Sequence, residues 1–242
     1  MKKKNKAIYL LFLMPFVYFA TACFVMWLVK TSGIYPSGSD TMYHVYRGDY
    51  VYNAIKSGNL YPLYDPAWYN GVEILRYWSP FPAYVMAFCQ YLAGGSQFGA
   101  YLFYIGGVCF LGACVWPFIG RGFNRPYLGA FIGLIWFFMP NNLCALFVEG
   151  NLARSLSMIF LPVFIYAVYK YFDSRKTRYL LLITLSLLLI AMCHAGYAVM
   201  VVAVAIIYGI IYCIQNKRII VLSDAIISMV LSFVIYGIWL IG

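Results

Sequence analysis

Apolar runs as long as a lipid bilayer is thick recur along this chain of 242 residues. They cover residues 7–29, 98–119, 127–147, 155–172, 179–194, 197–214 and 219–241. About 20 apolar residues in an α-helix cross the hydrocarbon core of a membrane, which is roughly 30 Å thick. The runs lack the alternating pattern of membrane β-strands, and a chain that is 64% hydrophobic and 10% charged is not a soluble domain. We therefore predict an all-α, polytopic transmembrane helical bundle of about seven spans.

The net charge of +10 lies in short clusters between the apolar runs. The clusters are Lys2, Lys3, Lys4 and Lys6; Arg121 with Arg125; Arg175, Lys176 and Arg178; and Lys217 with Arg218. Cations flanking spans on one side follow the positive-inside rule, so we predict a cytoplasmic N-terminus. The lipid bilayer is the expected partner and nucleic acid is not. The sequence carries no signal for an oligomeric state.

The predicted organisation is one membrane domain, 1–242, with a first span at 7–29, an outer loop at 30–97 and six further spans in 98–242. Residues 80–93 are apolar but short, and a crossing there would export Arg121 and Arg125. We predict a juxtamembrane or re-entrant helix in this segment, because Pro80 and Pro82 suit a first helical turn. The chain ends within an apolar run, which predicts that a larger protein continues beyond it.

The first half of the outer loop, 37–57, is predicted to be a helix lying along the membrane interface. Ser37, Ser39 or Asp40 could cap it, and Gly58 could end it. Aromatic side chains recur at helical spacing on one face, while polar side chains occupy the other. The aromatic stripe contains Tyr43, Tyr46 and Tyr50, and the polar face contains Arg47, Asp49, Asn53 and Lys56.

Asp40 and His44 are four residues apart, so on a helix they share a face, and Arg47 follows one turn later. Such a set can bind a divalent metal, relay a proton or hold an anion. A divalent metal is the candidate cofactor, with Asp40 and His44 as candidate ligands, although a metal site needs more ligands than two. The alternative is that Asp40 caps the helix and His44 is an ordinary interfacial side chain.

Further candidate substrate-binding residues lie near the ends of the spans. Glu149 and Arg154 flank a short turn, Arg76 lies in the outer loop, and His194 lies beside Gly196. Ionisable side chains at membrane ends often reach the aqueous interface without having a function, and that alternative stays open for each of these residues.

Four segments of the chain resemble a known family. They are GSDTMYHVYRG, SGNLYPLYDPAWYNG, RYWSPFPAY and EGNLARSLSMIFLP. Their order resembles the GT-C superfamily of polyprenyl-phosphate-dependent glycosyltransferases. They are especially similar to bacterial membrane proteins labelled 6-pyruvoyl-tetrahydropterin-synthase-related, a label that does not imply pterin chemistry. The resemblance spans nearly the whole chain and implies the amino-terminal seven-span module of a GT-C enzyme in a bacterial inner membrane.

The resemblance also implies an activity, which is sugar transfer from a polyprenyl-phosphate donor to an acceptor on the outer face of the membrane. Asp40 would be the general base, or a metal ligand as in metal-dependent relatives. Arg154, with Arg76 or His194, would stabilise the charge of the departing phosphate, and the anomeric centre would be inverted. The alternatives are a transporter or flippase of a lipid-linked sugar and a non-catalytic membrane scaffold. Sugar and acceptor identity stay open.

Overall fold

The computed structural model describes residues 2–36, 38–68, 70–217 and 219–241. Ser37, predicted as a cap, Arg218 and the side chains of the first lysine cluster lie outside the described part. The helices are α1 Lys2–Ser32, α2 Thr41–Lys56, α3 Ile74–Tyr77, α4 Phe81–Leu92, α5 Gln97–Gly122, α6 Pro126–Trp136, α7 Pro140–Leu143, α8 Leu152–Ser174, α9 Thr177–Cys193, α10 Ala195–Asn216 and α11 Ile219–Ile241. A π-helical segment, Cys144–Val148, follows α7. The all-α prediction is confirmed for the described residues.

Among the residues that the structure describes, six segments are long and apolar enough to cross a membrane. They are Phe12–Ser32, Gln97–Gly122, Pro126–Val148, Leu152–Ser174, Ala195–Asn216 and Ile219–Leu240. Helix α9, where the sequence predicts a further span, has 17 residues and is about 25 Å long at 1.5 Å per residue. The protein is therefore a multi-pass membrane protein, and the count of seven spans stays a prediction.

The chain divides into two compact units, Met1–Ile159 and Phe160–Gly242, with the boundary inside α8. In the first unit, α5 packs against α1, α4 and α6, and α2 packs against α4. In the second unit, α9 packs against α10 and α11 around buried Ile183, Leu187 and Ile190.

The backbones of α5 and α6 approach closely at two glycines. A Cβ on Gly129 would lie 2.5 Å from the carbonyl oxygen of Trp116 and 2.8 Å from Cα of Gly120. The hydroxyl of Tyr18 donates to the carbonyl oxygen of Ala130 at 2.9 Å and so ties α1 to the same crossing. Small residues permit this approach between membrane helices, where van der Waals packing drives association.

Gly129→Ala is expected to lower the stability of the first unit by about 1–3 kcal/mol, because its methyl group would be pressed against backbone atoms that cannot rotate away. Gly107→Ala is the matched control, since a Cβ there meets nothing within 4 Å. Thermal unfolding of both variants in the same detergent measures the difference. Equal stability of the two variants would contradict the close crossing.

In the outer loop, the segment 80–93 forms helix α4, which begins just after Pro80, while its juxtamembrane or re-entrant placement stays a prediction. The predicted helix at 37–57 is shorter and begins at Thr41. The sequence pattern places Arg47 on the polar face of this helix, away from the aromatic stripe, but Arg47 is buried in the structure. Its helix is covered by α4 and also by the connection between α3 and α4, whose carbonyl oxygens at Trp78 and Ser79 accept hydrogen bonds from Arg47.

Candidate functional site

The segment that precedes α2 docks on the turn between the π-helical segment and α8. The backbone N–H of Asp40 donates to the carbonyl oxygen of Glu149 at 3.1 Å. The Ser39 hydroxyl lies 2.9 Å from the same oxygen and 3.1 Å from Oδ1 of Asp40, so it can donate to either. Gly38 and Gly150 allow the approach, since a Cβ on Gly38 would lie 2.4 Å from Cα of Gly150. The fold thus fixes Asp40 beside Glu149.

Glu149 and Arg154 form an ion pair in this turn. Nη1 of Arg154 donates to both carboxylate oxygens of Glu149, at 2.7 and 2.6 Å, and Nη2 donates to Oδ1 of Asn141 at 2.6 Å. Oδ1 of Asn151 accepts from the backbone N–H of Arg154 at 2.9 Å and caps the start of α8. Glu149 therefore offsets the charge of Arg154 and fixes the orientation of its guanidinium group.

The Asp40 carboxylate is half-buried and, within the described residues, has no ion-pair partner. Its side chain makes no capping hydrogen bond to α2. The alternative interpretation, in which Asp40 serves as a side-chain cap, is thus not what the structure shows. The carboxylate can accept a further hydrogen bond from a bound molecule, and the backbone contact described above ties its segment to the turn that carries the Glu149–Arg154 pair.

His44 is buried one turn into α2, and its ring lies 6.5 Å, centroid to centroid, from the edge-on ring of Trp78. In the part of the chain that the structure describes, no group of three or more His, Cys, Asp or Glu side chains could hold a metal ion. Asp40 and His44 alone are too few ligands for a resident divalent cation. The residues present therefore do not fit the divalent metal that the resemblance to metal-dependent enzymes implies.

Arg76 and His194 have other local partners. Nη1 of Arg76 lies 3.4 Å from Oε2 of Glu73 in a partly exposed pair, a kind that contributes at most about 1 kcal/mol. His194 precedes α10, and its Nδ1 accepts from the backbone N–H of Tyr197 at 3.0 Å. The proton of neutral His194 is then on Nε2. His194 belongs to the second unit and is a helix cap there.

The sequence did not indicate the polar contacts that fold the aromatic loop over α2. Asp65 is buried, and its carboxylate accepts from the hydroxyl of Tyr46 and, at 2.9 Å, from the backbone N–H of Ala67. The hydrogen bond to Asp65, with burial, raises the pKa of Tyr46 to about 12. The hydroxyl of Tyr50 donates to the carbonyl oxygen of Tyr64 at 2.6 Å. The hydroxyl groups of these two tyrosines therefore hold the loop against α2.

These features define a polytopic helical membrane protein with an ordered polar site at the start of α2. A family model described as "6-pyruvoyl-tetrahydropterin synthase related domain; membrane protein" matches residues 75–242, and the chain belongs to this family. The matched range contains Arg76, Glu149, Arg154 and His194, whereas Asp40 precedes it. No curated protein and no solved structure matched the chain.

Proposed function

We propose that this protein is a GT-C type membrane glycosyltransferase, which transfers a sugar from a polyprenyl-phosphate donor to an acceptor on the outer face of the membrane. The observation that carries the proposal is the attachment of Asp40 to the turn of the Glu149–Arg154 pair through its own backbone N–H. A carboxylate without an ion-pair partner, on a segment bound to the turn that carries a fixed guanidinium group, suits a reaction that removes a proton and releases a phosphate.

In the proposed reaction, Asp40 accepts the proton of the acceptor hydroxyl while that oxygen attacks the anomeric carbon of the donor. The bond between the anomeric carbon and the phosphate oxygen breaks, and the lipid phosphate leaves with the electron pair. A phosphate is already a good leaving group, so no general acid is required. One displacement with one base inverts the anomeric centre, which predicts an inverted product.

Arg154 is the proposed partner of the phosphate in this reaction. Guanidinium has five N–H donors, and the contacts to Glu149 and Asn141 leave some of them for a ligand. Glu149 then orients Arg154 while it lowers the local positive charge. Arg76 is proposed as a second contact for the phosphate, and His44 as a contact for the sugar or acceptor next to Trp78.

The proposed topology has a cytoplasmic N-terminus in a bacterial inner membrane and seven spans, including α9. Support comes from the cations on either side of α9 and α10. If both helices cross, Lys217 lies on the same side as Arg175, Lys176 and Arg178, as the positive-inside rule favours. If α9 does not cross, Lys217 lies on the opposite side from the other three.

A flippase of a lipid-linked sugar is the second candidate function, and one observation favours it. Within the membrane segment Pro126–Val148, helix α6 ends at Trp136 and α7 begins at Pro140. Interrupted helices are typical of transporters. Here the side chain of Asn142 donates to the carbonyl oxygen of Trp136, so the break is stabilised within the segment itself. Because the carbonyl oxygen at the break already has a partner within the segment, the break does not require a transported ligand. The transferase is therefore the better supported function.

Release of polyprenyl phosphate from a panel of polyprenyl-phosphate sugars tests the proposal, because this product forms whatever the acceptor is. The full chain in liposomes, with mixed acceptors supplied outside, is expected to release it from at least one donor. Movement of intact donor across the liposome membrane without cleavage would instead show a flippase. A folded protein that does not cleave, move or bind any donor would instead be a scaffold.

A further inference from the structure

An apolar groove separates α8 from α10 in the second unit. It has a volume of about 450 Å³ and is lined by one face of each helix, between residues 161 and 169 of α8 and between 197 and 208 of α10. Buried side chains such as Phe164, Val168 and Ala205 form its floor, whereas Met200 and Val204 at its rim are exposed. The groove is therefore deep and opens on the surface of this unit.

Aromatic contacts between α8 and α10 close one end of the groove. The ring of Phe172 lies 5.7 Å from that of Tyr208 and 5.1 Å from that of Tyr212, centroid to centroid. The hydroxyl of Tyr212 also donates to the carbonyl oxygen of Phe172 at 2.9 Å. The other end lies at Tyr197, in the first turn of α10. Because Ala195–Asn216 is a membrane segment, the groove runs from the membrane boundary into the hydrocarbon region.

The chemistry of the groove excludes water and favours a hydrocarbon chain as its occupant. Its lining contains no charged side chain among the described residues, so water there would find few hydrogen-bond partners. The hydrocarbon core of a bilayer also supplies no water. An unfilled gap of this size would lose van der Waals contacts along every wall. Lipid chains lie against the exposed rim in a membrane, so one of them can enter and fill the groove.

We propose that this groove is a binding site for one acyl chain of a phospholipid, whose headgroup lies at the start of α10. The lining of α10 extends over about 16 Å at 1.5 Å per residue, and an acyl chain spans half of the hydrocarbon core, about 15 Å. The closed end thus lies where the chain ends. A polyprenyl chain is much longer than one leaflet is thick and could place only part of its length there. The inference does not rest on the proposed sugar transfer.

The depth of the groove distinguishes this site from ordinary contact with bilayer lipid. A lipid chain on the surface of a single helix touches one wall and exchanges readily with its neighbours. Here the floor belongs to the packed core of the second unit, since Phe164 is 1% and Ala205 is 8% exposed. A chain held by this floor and by two helices is expected to stay bound when detergent replaces the bilayer.

The test fills the floor of the groove with a larger side chain. Ala205→Phe places a ring where the acyl chain would lie. Ala203→Phe is the matched control, because Ala203 is exposed on the same helix and does not line the groove. The full chain in detergent is mixed with palmitoyl-oleoyl-phosphatidylglycerol, and the retained lipids are counted by native mass spectrometry. The wild type and Ala203→Phe are expected to retain a phospholipid that Ala205→Phe lacks, while lipids bound elsewhere are common to all three proteins.

Thermal unfolding of the same proteins provides a second measurement. Added phospholipid is expected to raise the unfolding temperature of the lipid-free wild type, because a ligand that binds only the folded state stabilises it. The rise should be smaller for Ala205→Phe and unchanged for Ala203→Phe. Without lipid, Ala205→Phe should unfold at or above the temperature of the wild type, since its ring restores contacts along the walls of the groove.

Two results would overturn the inference. Equal phospholipid counts in the wild type and Ala205→Phe would mean that only surface lipid is retained. Retention of undecaprenyl phosphate in place of phospholipid, lost in Ala205→Phe, would mean that the occupant is an isoprenoid chain. If Ala205→Phe does not fold, Val204→Trp takes its place with the same expected loss of phospholipid, because Val204 lies at the exposed rim where added volume is tolerated.

Discussion

Sugar transfer is expected to fall about 10²- to 10⁴-fold when Asp40 is replaced by Asn, which is the usual loss when a general base is removed. Asn keeps the backbone N–H that donates to Glu149 and an oxygen that can accept from Ser39. Donor binding and folding should therefore be retained while proton removal is lost. Initial rates of polyprenyl phosphate release and a donor-binding isotherm measure the two effects separately.

Asp49→Asn provides the control for this prediction. Asp49 is also on α2, and its carboxylate accepts from Nε2 of Gln90 at 2.6 Å, a contact that an Asn side-chain oxygen can keep. The same chemical change should then leave sugar transfer unchanged. If Asp40→Asn transfers sugar as fast as the wild type, Asp40 is not the base. If both variants lose transfer together, the cause is a general effect of altering α2.

The membrane helices could be predicted because each depends mainly on the length of one apolar run. The run at 98–119 became α5, Gln97–Gly122, and the run at 155–172 became α8, Leu152–Ser174. The ends differ by a few residues because polar caps set them. Ser96 accepts from the N–H of Gly99, and Asn151 accepts from that of Arg154. Such caps are local, and Ser or Asn just before an apolar run is a recognised signal for them.

Arg47 shows where reasoning from helical periodicity reaches its limit. The pattern of α2 predicts one buried face and one exposed face, which holds for a helix covered from a single side. The carbonyl oxygens that cover Arg47 are 31 and 32 residues away in sequence. They belong to backbone groups, which carry no side-chain signal. A charged residue buried by a distant backbone segment could not be predicted from spacing.

The candidate site also combines contacts that are local in sequence with contacts between distant residues. Glu149 and Arg154 are five residues apart across one turn, and opposite charges at that spacing predict a local cluster. The contact of Ser39 with the Glu149 carbonyl joins residues 110 positions apart. The glycines at 38 and 150 permit that contact, but either would also suit an ordinary turn. The sequence therefore supplied the chemistry of the site and the fold supplied its assembly.

Gly150→Ala is expected to detach the Asp40 segment from the Glu149 turn. A Cβ on Gly150 would lie 2.2 Å from Oγ1 of Thr41 and 2.7 Å from its backbone nitrogen, and the φ angle of Gly150 is +67°. Backbone strain at such an angle costs about 1–3 kcal/mol, and overpacking adds about 1–3 kcal/mol more. We expect a lower unfolding temperature together with a loss of sugar transfer comparable to that of Asp40→Asn.

Gly33→Ala separates the two contributions in this prediction. Its φ angle of +69° is nearly that of Gly150, but a Cβ there meets nothing within 4 Å. It should show the cost of the backbone angle alone and retain sugar transfer, because Gly33 precedes the docked segment. A Gly150→Ala protein that matches Gly33→Ala in both measurements would mean that the docking contact contributes neither stability nor activity. A difference in transfer at similar stability would assign the contact to the positioning of Asp40.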